Sequence, residues 1–132
     1  RVEMEEGIKR TAENNGLNLV LALNYGGRIE ILDAVTRLCQ EQQDGLDLSK
    51  LTEQVFEKHL YTGGMPDPDM VIRTSGESRV SNFLLWQMAY AEIIITSTLW
   101  PAFRSKELYE AILDFQSRER RFGKVSEQLP EA

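Results

Sequence analysis

Two arginines and a serine crowd one short stretch, Val71-Ile72-Arg73-Thr74-Ser75-Gly76-Glu77-Ser78-Arg79-Val80-Ser81-Asn82, which runs from a β-branched pair through small polar residues into a helical pattern. Arg73 and Arg79 each present a planar fork of N–H donors matched to phosphate oxygens, and Ser81 adds a hydroxyl. A helix opening near Ser78 would add unpaired backbone N–H groups and the positive end of its dipole, both favourable to an anion. Together these groups suit a diphosphate, which carries more charge than one arginine balances. Two surface arginines paired with Glu77 and neighbouring acids would leave the same trace, so pattern alone leaves both readings open.

Other residues could also do chemistry. Glu92, followed by the apolar Ile93-Ile94-Ile95, is either a structural ion-pair partner or a hard oxygen ligand for Mg2+ that also touches a bound diphosphate. The paired glycines of Asn24-Tyr25-Gly26-Gly27-Arg28 lack the lysine and the spacing of a phosphate cradle, and read as a tight turn that lets Arg28 and the next helix pack. His59, the one histidine, reads as capping or surface. Asp67 and Asp69, interleaved with Pro66 and Pro68, read as turn residues, Trp86 and Trp100 as core, and Cys39 as a buried helical thiol. The cationic run Arg118-Glu119-Arg120-Arg121-Phe122-Gly123 either complements the end of a last helix or reaches an anion on a neighbouring subunit.

These groups need elements to hold them. Val2, Met4, Ile8 and Ala12 have helical spacing, closed by Asn14-Asn15-Gly16. The apolar run over residues 17–23 predicts a strand buried on both faces. Ile31, Leu32, Val35, Leu38 and Cys39 predict an amphipathic helix over residues 28–43, and Leu51, Val55 and Leu60 a second helical stretch before the breakers of residues 62–69. Met70-Val71-Ile72 predicts a very short strand. Residues 78–91 predict a helix with Val80, Phe83, Leu84, Gln87, Met88 and Ala91 on one side, and Ile93-Ile94-Ile95-Thr96 another short strand. Beyond Pro101, Ser105 is a candidate N-cap for a helix striped by Leu108, Ala111, Ile112 and Phe115 and ending near Gly123. This alternation predicts an α/β fold, a mostly parallel sheet flanked by helices, with ligands expected at the carboxyl ends of its strands.

Composition limits the partners. At 132 residues the chain has the size of one domain, and 15 Lys+Arg against 21 Asp+Glu leave a net charge of −6, which argues against a general attraction to nucleic acid or anionic lipid. A single cysteine excludes an intrachain disulfide framework and suits a reducing compartment. With no apolar run near the ~20 residues of a membrane span, the chain reads as soluble and cytosolic. Because helical spacing is already present at Val2, the functional unit is expected to begin upstream of Arg1.

The stretch over residues 66–103, opening on Pro66-Asp67-Pro68-Asp69 and containing Val71-Ile72-Arg73-Thr74-Ser75-Gly76-Glu77 and Ser81-Asn82-Phe83-Leu84-Leu85-Trp86-Gln87, is preceded by residues 16–28, ending Asn24-Tyr25-Gly26-Gly27-Arg28, and followed by Arg118-Glu119-Arg120-Arg121-Phe122-Gly123. Together these closely resemble the C-terminal half of the cis-prenyltransferases, of the bacterial undecaprenyl diphosphate synthase type, over residues 16–123. The resemblance implies condensation of isopentenyl diphosphate onto an allylic diphosphate, usually farnesyl diphosphate, with new cis double bonds and diphosphate leaving. It implies that Arg73, Arg79 and Ser81 bind the diphosphate of isopentenyl diphosphate and that Glu92 assists Mg2+ there. It further implies that Arg121 and Gly123, in an Arg-x-Gly motif, reach across a homodimer to the partner's active site. Ser75 replaces a glycine that many members carry.

Residues 1–123 would thus be the C-terminal half of one cis-prenyltransferase domain, and residues 124–132 a polar tail. The family's Asp-Gly-Asn-Gly-Arg-Trp-like loop, whose aspartate anchors Mg2+ and the allylic diphosphate, does not occur in these residues. The family's catalytic aspartate therefore has no counterpart here, and the chain alone is expected to be inactive. The implied enzyme is cytoplasmic, or peripheral at the inner face of the membrane, to which its lipid-carrier product passes for cell-wall synthesis. A non-catalytic partner subunit of the same fold is the alternative; such subunits tend to lose the diphosphate and metal residues, which are intact here.

Overall fold

The computed structural model describes residues 2–119. Helix α1, Val2–Thr11, stops where expected, with Asn14 N–H donating to Thr11 O at 3.0 Å. Residues 17–23 do not form the predicted strand: no ladder includes them, and Leu17, Leu19, Val20, Leu21 and Leu23 are exposed, Leu17 to 92%. A strand buried on both faces needs hydrogen-bonding neighbours, and among the described residues none pairs with this run.

Helix α2, Gly27–Gln43, buries Gly27, Glu30, Ala34 and Leu38. This face is rotated from the predicted stripe, because Leu32 and Val35 are exposed and so is Cys39, expected to be buried. Ala34 and Leu38 face Phe56 and Leu60 instead, and these four residues form the core, with Ile31, Leu46, Leu48, Val55 and Trp86 packed on it. The second predicted helix contracts to a single 3-10 turn, Leu48–Lys50, and a short α3, Glu53–Glu57, whose first turn is capped by Thr52 Oγ1 accepting Val55 N–H at 3.3 Å. Trp86 lies in the core as expected, its ring 4.5 Å from that of Phe56. Trp100 does not; it stacks on Phe103 and is 72% exposed.

Strands β1, Met70–Arg73, and β2, Glu92–Ile95, pair in parallel, with Met70 opposite Glu92 and Arg73 opposite Ile95. The class is therefore the expected α/β, an open parallel sheet with flanking helices. Between the strands, however, residues 78–91 form turns rather than the predicted helix. Ser81, Asn82 and Leu84 have φ of 52°, 62° and 42°, outside any right-handed helix. The Asn82 carbonyl, which a helix would direct to its own next turn, accepts Gly27 N–H at 2.7 Å instead. Helix α4, Ser105–Ser117, packs against β2, and Ala111 of the helix and Ile94 of the strand are both buried. Its cap residue is Arg104 rather than Ser105, with Glu107 accepting Arg104 N–H at 2.8 Å, and it ends before the predicted Gly123.

Glu30 joins α2 to the turn after α3 and to the crossover between the strands. Fully buried, it accepts from Tyr25 O–H, from Tyr61 N–H at 2.8 Å and from Gln87 Nε2 at 3.1 Å to each carboxylate oxygen. Gln87 Nε2 also reaches Thr62 Oγ1 at 2.9 Å. A buried carboxylate is tolerable when donors replace the lost water. Burial, followed by the hydrogen bond to Glu30, pushes the Tyr25 phenol well above its ordinary value.

Two outcomes follow for stability. Leu38→Ala should lower the free energy of unfolding by about 2–4 kcal/mol, read as a shifted urea midpoint at constant slope; a shift corresponding to under about 0.5 kcal/mol would show that the α2–α3 contact is not the core. Because the folded state holds the Tyr25 proton more tightly than the unfolded chain, this group's contribution is complete below pH ~10 and declines above it. The native protein should accordingly lose stability more steeply above pH ~10 than Tyr25→Phe, and equal slopes would contradict the Tyr25–Glu30 bond.

Candidate functional site

Arg73 ends β1 at the carboxyl edge of the sheet, opposite Ile95, and the turn that follows it is tied down firmly. Ser75 N–H donates to Thr98 O at 3.0 Å and Gly76 N–H to Thr96 O at 2.8 Å, while Thr96 N–H donates back to Arg73 O at 2.9 Å. Ser75 and Gly76 have φ of 68° and 66°. A left-handed serine is disfavoured relative to glycine by roughly 1 kcal/mol, which gives a physical reason for glycine at the position of Ser75.

Beside this turn and along the strands lies a cavity of about 210 Å³ whose walls include both Arg73 and Arg79, together with Glu77, Ser78 and the apolar Val71, Ile72, Val80, Phe83, Met88 and Ile93. Arg73 is half-buried, and its Nε is shielded from solvent without a hydrogen-bond partner. Arg79 is largely exposed and forms an ion pair with Glu77, as the plainer sequence reading anticipated. Exposed pairs of this kind contribute at most about 1 kcal/mol, so an anion carrying several charges could displace Glu77. Ser81 is exposed in the bend just after Val80. The N–H groups expected from a helix at Ser78 are not supplied, because that helix does not form.

Glu92 is placed elsewhere. Its register partner is Met70, so it lies at the amino end of the ladder whose carboxyl end carries Arg73, roughly 10 Å along the strand. There Glu92 Oε2 accepts from Arg118 Nη1 at 2.9 Å, while Arg118 also donates to Asp114 through Nε and Nη2 at 3.2 and 2.9 Å. Asp114 first, and Glu92 next, raise the guanidinium above its ordinary value. Arg118 follows the last residue of α4, the position at which a cation complements the helix dipole. Arg121 and Gly123 lie outside the described residues.

The residues set aside on sequence grounds stay structural. His59 Nδ1 is 2.8 Å from Val55 O and Nε2 is 3.0 Å from Glu41 Oε2. Asp67 and Asp69 lie outside any helix in the segment before β1, where Asp69 O accepts Glu92 N–H at 2.9 Å. Gly26 and Gly27 permit close packing: a Cβ on Gly26 would meet Asn82 Nδ2 at 2.8 Å, and one on Gly27 would meet Leu85 Cγ at 2.9 Å. Sequence reasoning missed Glu30 and Asn82. Glu30 shares four-residue spacing with Ala34 and Leu38, a signal that it belongs to the buried face; Asn82 is a residue type that tolerates left-handed backbone.

Comparison with known proteins bears on this arrangement. The family model described as "Putative undecaprenyl diphosphate synthase" matches residues 1–123. An isoprenyl transferase of Chlorobaculum tepidum is 52% identical over 130 residues, covering 98% of this chain and 49% of that protein. The crystal structure of lavandulyl diphosphate synthase from Lavandula x intermedia, in complex with dimethylallyl diphosphate, superposes with a TM-score of 0.84 at 35% identity, covering 93% of this chain and 52% of the other. A probable undecaprenyl diphosphate synthase from Campylobacter jejuni gives a TM-score of 0.75 at 34% identity, covering 94% and 58%. The chain spans about half the length of the curated relatives it matches. The family match, the level of identity and the shared fold agree: this chain belongs to the cis-prenyltransferase family, that of the isoprenyl transferases and undecaprenyl diphosphate synthases.

Proposed function

We propose that this chain forms the isopentenyl diphosphate side of a cis-prenyl chain-elongating site. There isopentenyl diphosphate condenses onto an allylic diphosphate such as farnesyl diphosphate, with diphosphate leaving, toward undecaprenyl diphosphate for cell-wall synthesis. The observation that carries this reading is the pair Arg73 and Arg79 on one cavity at the carboxyl end of β1, with Arg73 Nε buried and unpartnered. Two guanidinium forks can share the charge of a diphosphate, and the Ser81 hydroxyl can accompany Arg79. Held at its diphosphate, isopentenyl diphosphate has its alkene directed at the allylic carbon, so that orientation is this chain's contribution to rate. The dimethylallyl diphosphate in the related Lavandula enzyme supports an allylic diphosphate as the second substrate class.

Magnesium enters the proposal as an expectation at Glu92. As placed, Glu92 is held by Arg118, and no group of three or more His, Cys, Asp or Glu side chains converges on a cation position among the described residues. These residues do not by themselves compose an Mg2+ site. Homodimerisation through Arg121 and Gly123 and delivery of product to the membrane belong to the same proposal; no helix among the described residues is long and apolar enough to cross a membrane. The engagement of Glu92 with Arg118 favours a second reading, a non-catalytic partner subunit of the same fold.

In the complete protein, Arg79→Ala should raise KM for isopentenyl diphosphate by roughly 10- to 100-fold, the effect of losing a charge-assisted hydrogen bond, and change KM for the allylic substrate far less. An equal rise in both, or no change in either, would refute the assignment of Arg79. Mixing with a catalytic homologue separates the two readings, since a partner subunit should raise that homologue's turnover and an elongating enzyme should leave it unchanged.

A further inference from the structure

The loop carrying Arg79 and Ser81 has no helix of its own to hold it. Its first end is pinned at Ser75 and Gly76 by the segment after β2. Toward its second end the Phe83 ring meets that of Tyr25 edge-on at 5.6 Å, and Asn82 makes the hydrogen bonds that reach the opening turn of α2. The Asn82 main-chain oxygen accepts Gly27 N–H at 2.7 Å, and its side-chain Oδ1 accepts Arg28 N–H at 2.9 Å. These are the first two N–H groups of α2, and the helix's own cap residue, Gly26, has no side chain to offer them. Asn82 is thus an N-cap supplied from a remote segment, satisfying donors that a helix leaves open.

The surroundings fit this contact. Asparagine is among the non-glycine residues best able to hold the left-handed backbone found at Asn82, with φ of 62°. Gly26 and Gly27 keep clear the space that Asn82 and Leu85 occupy. Ser81, at φ of 52°, belongs to the same bend, so the direction of its hydroxyl depends on the bend being held.

We propose that Asn82 is a positioning residue for the diphosphate-binding loop. By capping α2 with both of its carbonyl oxygens, it fixes Ser81 and Arg79 relative to Arg73. Asn82 acts through the loop rather than on the ligand: a loop held in advance loses less freedom when the anion arrives. The proposal rests on the diphosphate reading of the loop given above.

The test uses the complete protein and three variants. Asn82→Gly keeps the left-handed backbone and the main-chain acceptor and removes the side chain with its Oδ1, whereas Asn82→Asp keeps the side chain and an acceptor facing Arg28 N–H. Asn82→Gly should raise KM for isopentenyl diphosphate roughly tenfold, the scale of one lost hydrogen bond, with the allylic KM changed by less than about twofold, and Asn82→Asp should recover most of that loss. Should Asn82→Gly not fold, Asn82→Ser, whose oxygen falls short of Arg28 N–H, replaces it with the same expectation. Arg79→Ala serves as the reference. If Arg79→Ala raises the isopentenyl diphosphate KM while Asn82→Gly alters both substrates alike or neither, the positioning role is overturned and the function reading stands. The positioning role alone is likewise overturned if Asn82→Asp is as impaired as Asn82→Gly. If Arg79→Ala leaves that KM unchanged, the function reading and the positioning role fall together.

Discussion

A carboxylate sealed from water must be surrounded by donors or it destabilises the fold that encloses it. Glu30 meets this condition with the Tyr25 hydroxyl, the Tyr61 N–H and the Gln87 amide. These donors come from the turn before α2, the turn after α3 and the crossover between the two strands. Removing the carboxylate would take this acceptor from each of them, leaving Gln87 Nε2 with Thr62 Oγ1, so the separate turns share one acceptor and are held in one arrangement. The core beneath, Ala34 and Leu38 against Phe56 and Leu60, supplies apolar burial but little direction; the hydrogen bonds to Glu30 supply the direction.

The crossover from β1 to β2 carries the candidate site and obeys the same logic. Its backbone does not coil into a helix: Ser81, Asn82 and Leu84 are left-handed, the Asn82 carbonyl goes to α2, and the local bonds that remain, such as Phe83 N–H to Val80 O and Met88 N–H to Leu84 O, make isolated turns, while Ser75 and Gly76 are held by the segment after β2. Gln87, further along, is anchored in the Glu30 network. Arg79 therefore stands on a loop pinned at both ends, facing a cavity that Arg73 enters from the strand. Elements that are remote in sequence, and not a local helix dipole, hold the two arginines on one cavity.

The opposite end of the ladder is engaged differently. Arg118, at the end of α4, closes on Glu92 and Asp114 and fastens the last helix to β2. Its half-buried pair with Glu92 ties α4 to the strand it covers, and a cation at Glu92 would have to displace a guanidinium already in place. The apolar run of residues 17–23 and the outer face of α2, with Leu32 and Val35, remain exposed. This surface occurs in a chain spanning about half the length of its relatives.

Residue type and local spacing were enough to reveal the α/β class, strands β1 and β2, helices α1, α2 and α4, and the nearness of Arg73 to Arg79, which line one cavity while Ser81 is not among its walls, because each of these depends on neighbours a few positions away. The buried face of α2 was legible only in the four-residue spacing of Glu30, Ala34 and Leu38; residue type argues against it, because a carboxylate reads as solvent-facing until Tyr25, Tyr61 and Gln87 are brought around it. The strand at residues 17–23 and the helix at residues 78–91 were legible only as propensities. A strand exists where another strand pairs with it, and a helix where its backbone stays right-handed over successive residues. Among the described residues no strand pairs with residues 17–23, and Ser81, Asn82 and Leu84 are left-handed. Sequence by itself determined which residues could bind an anion; the tertiary structure decided what holds them, through hydrogen bonds between segments as far apart as Arg28 and Asn82, which no local pattern records.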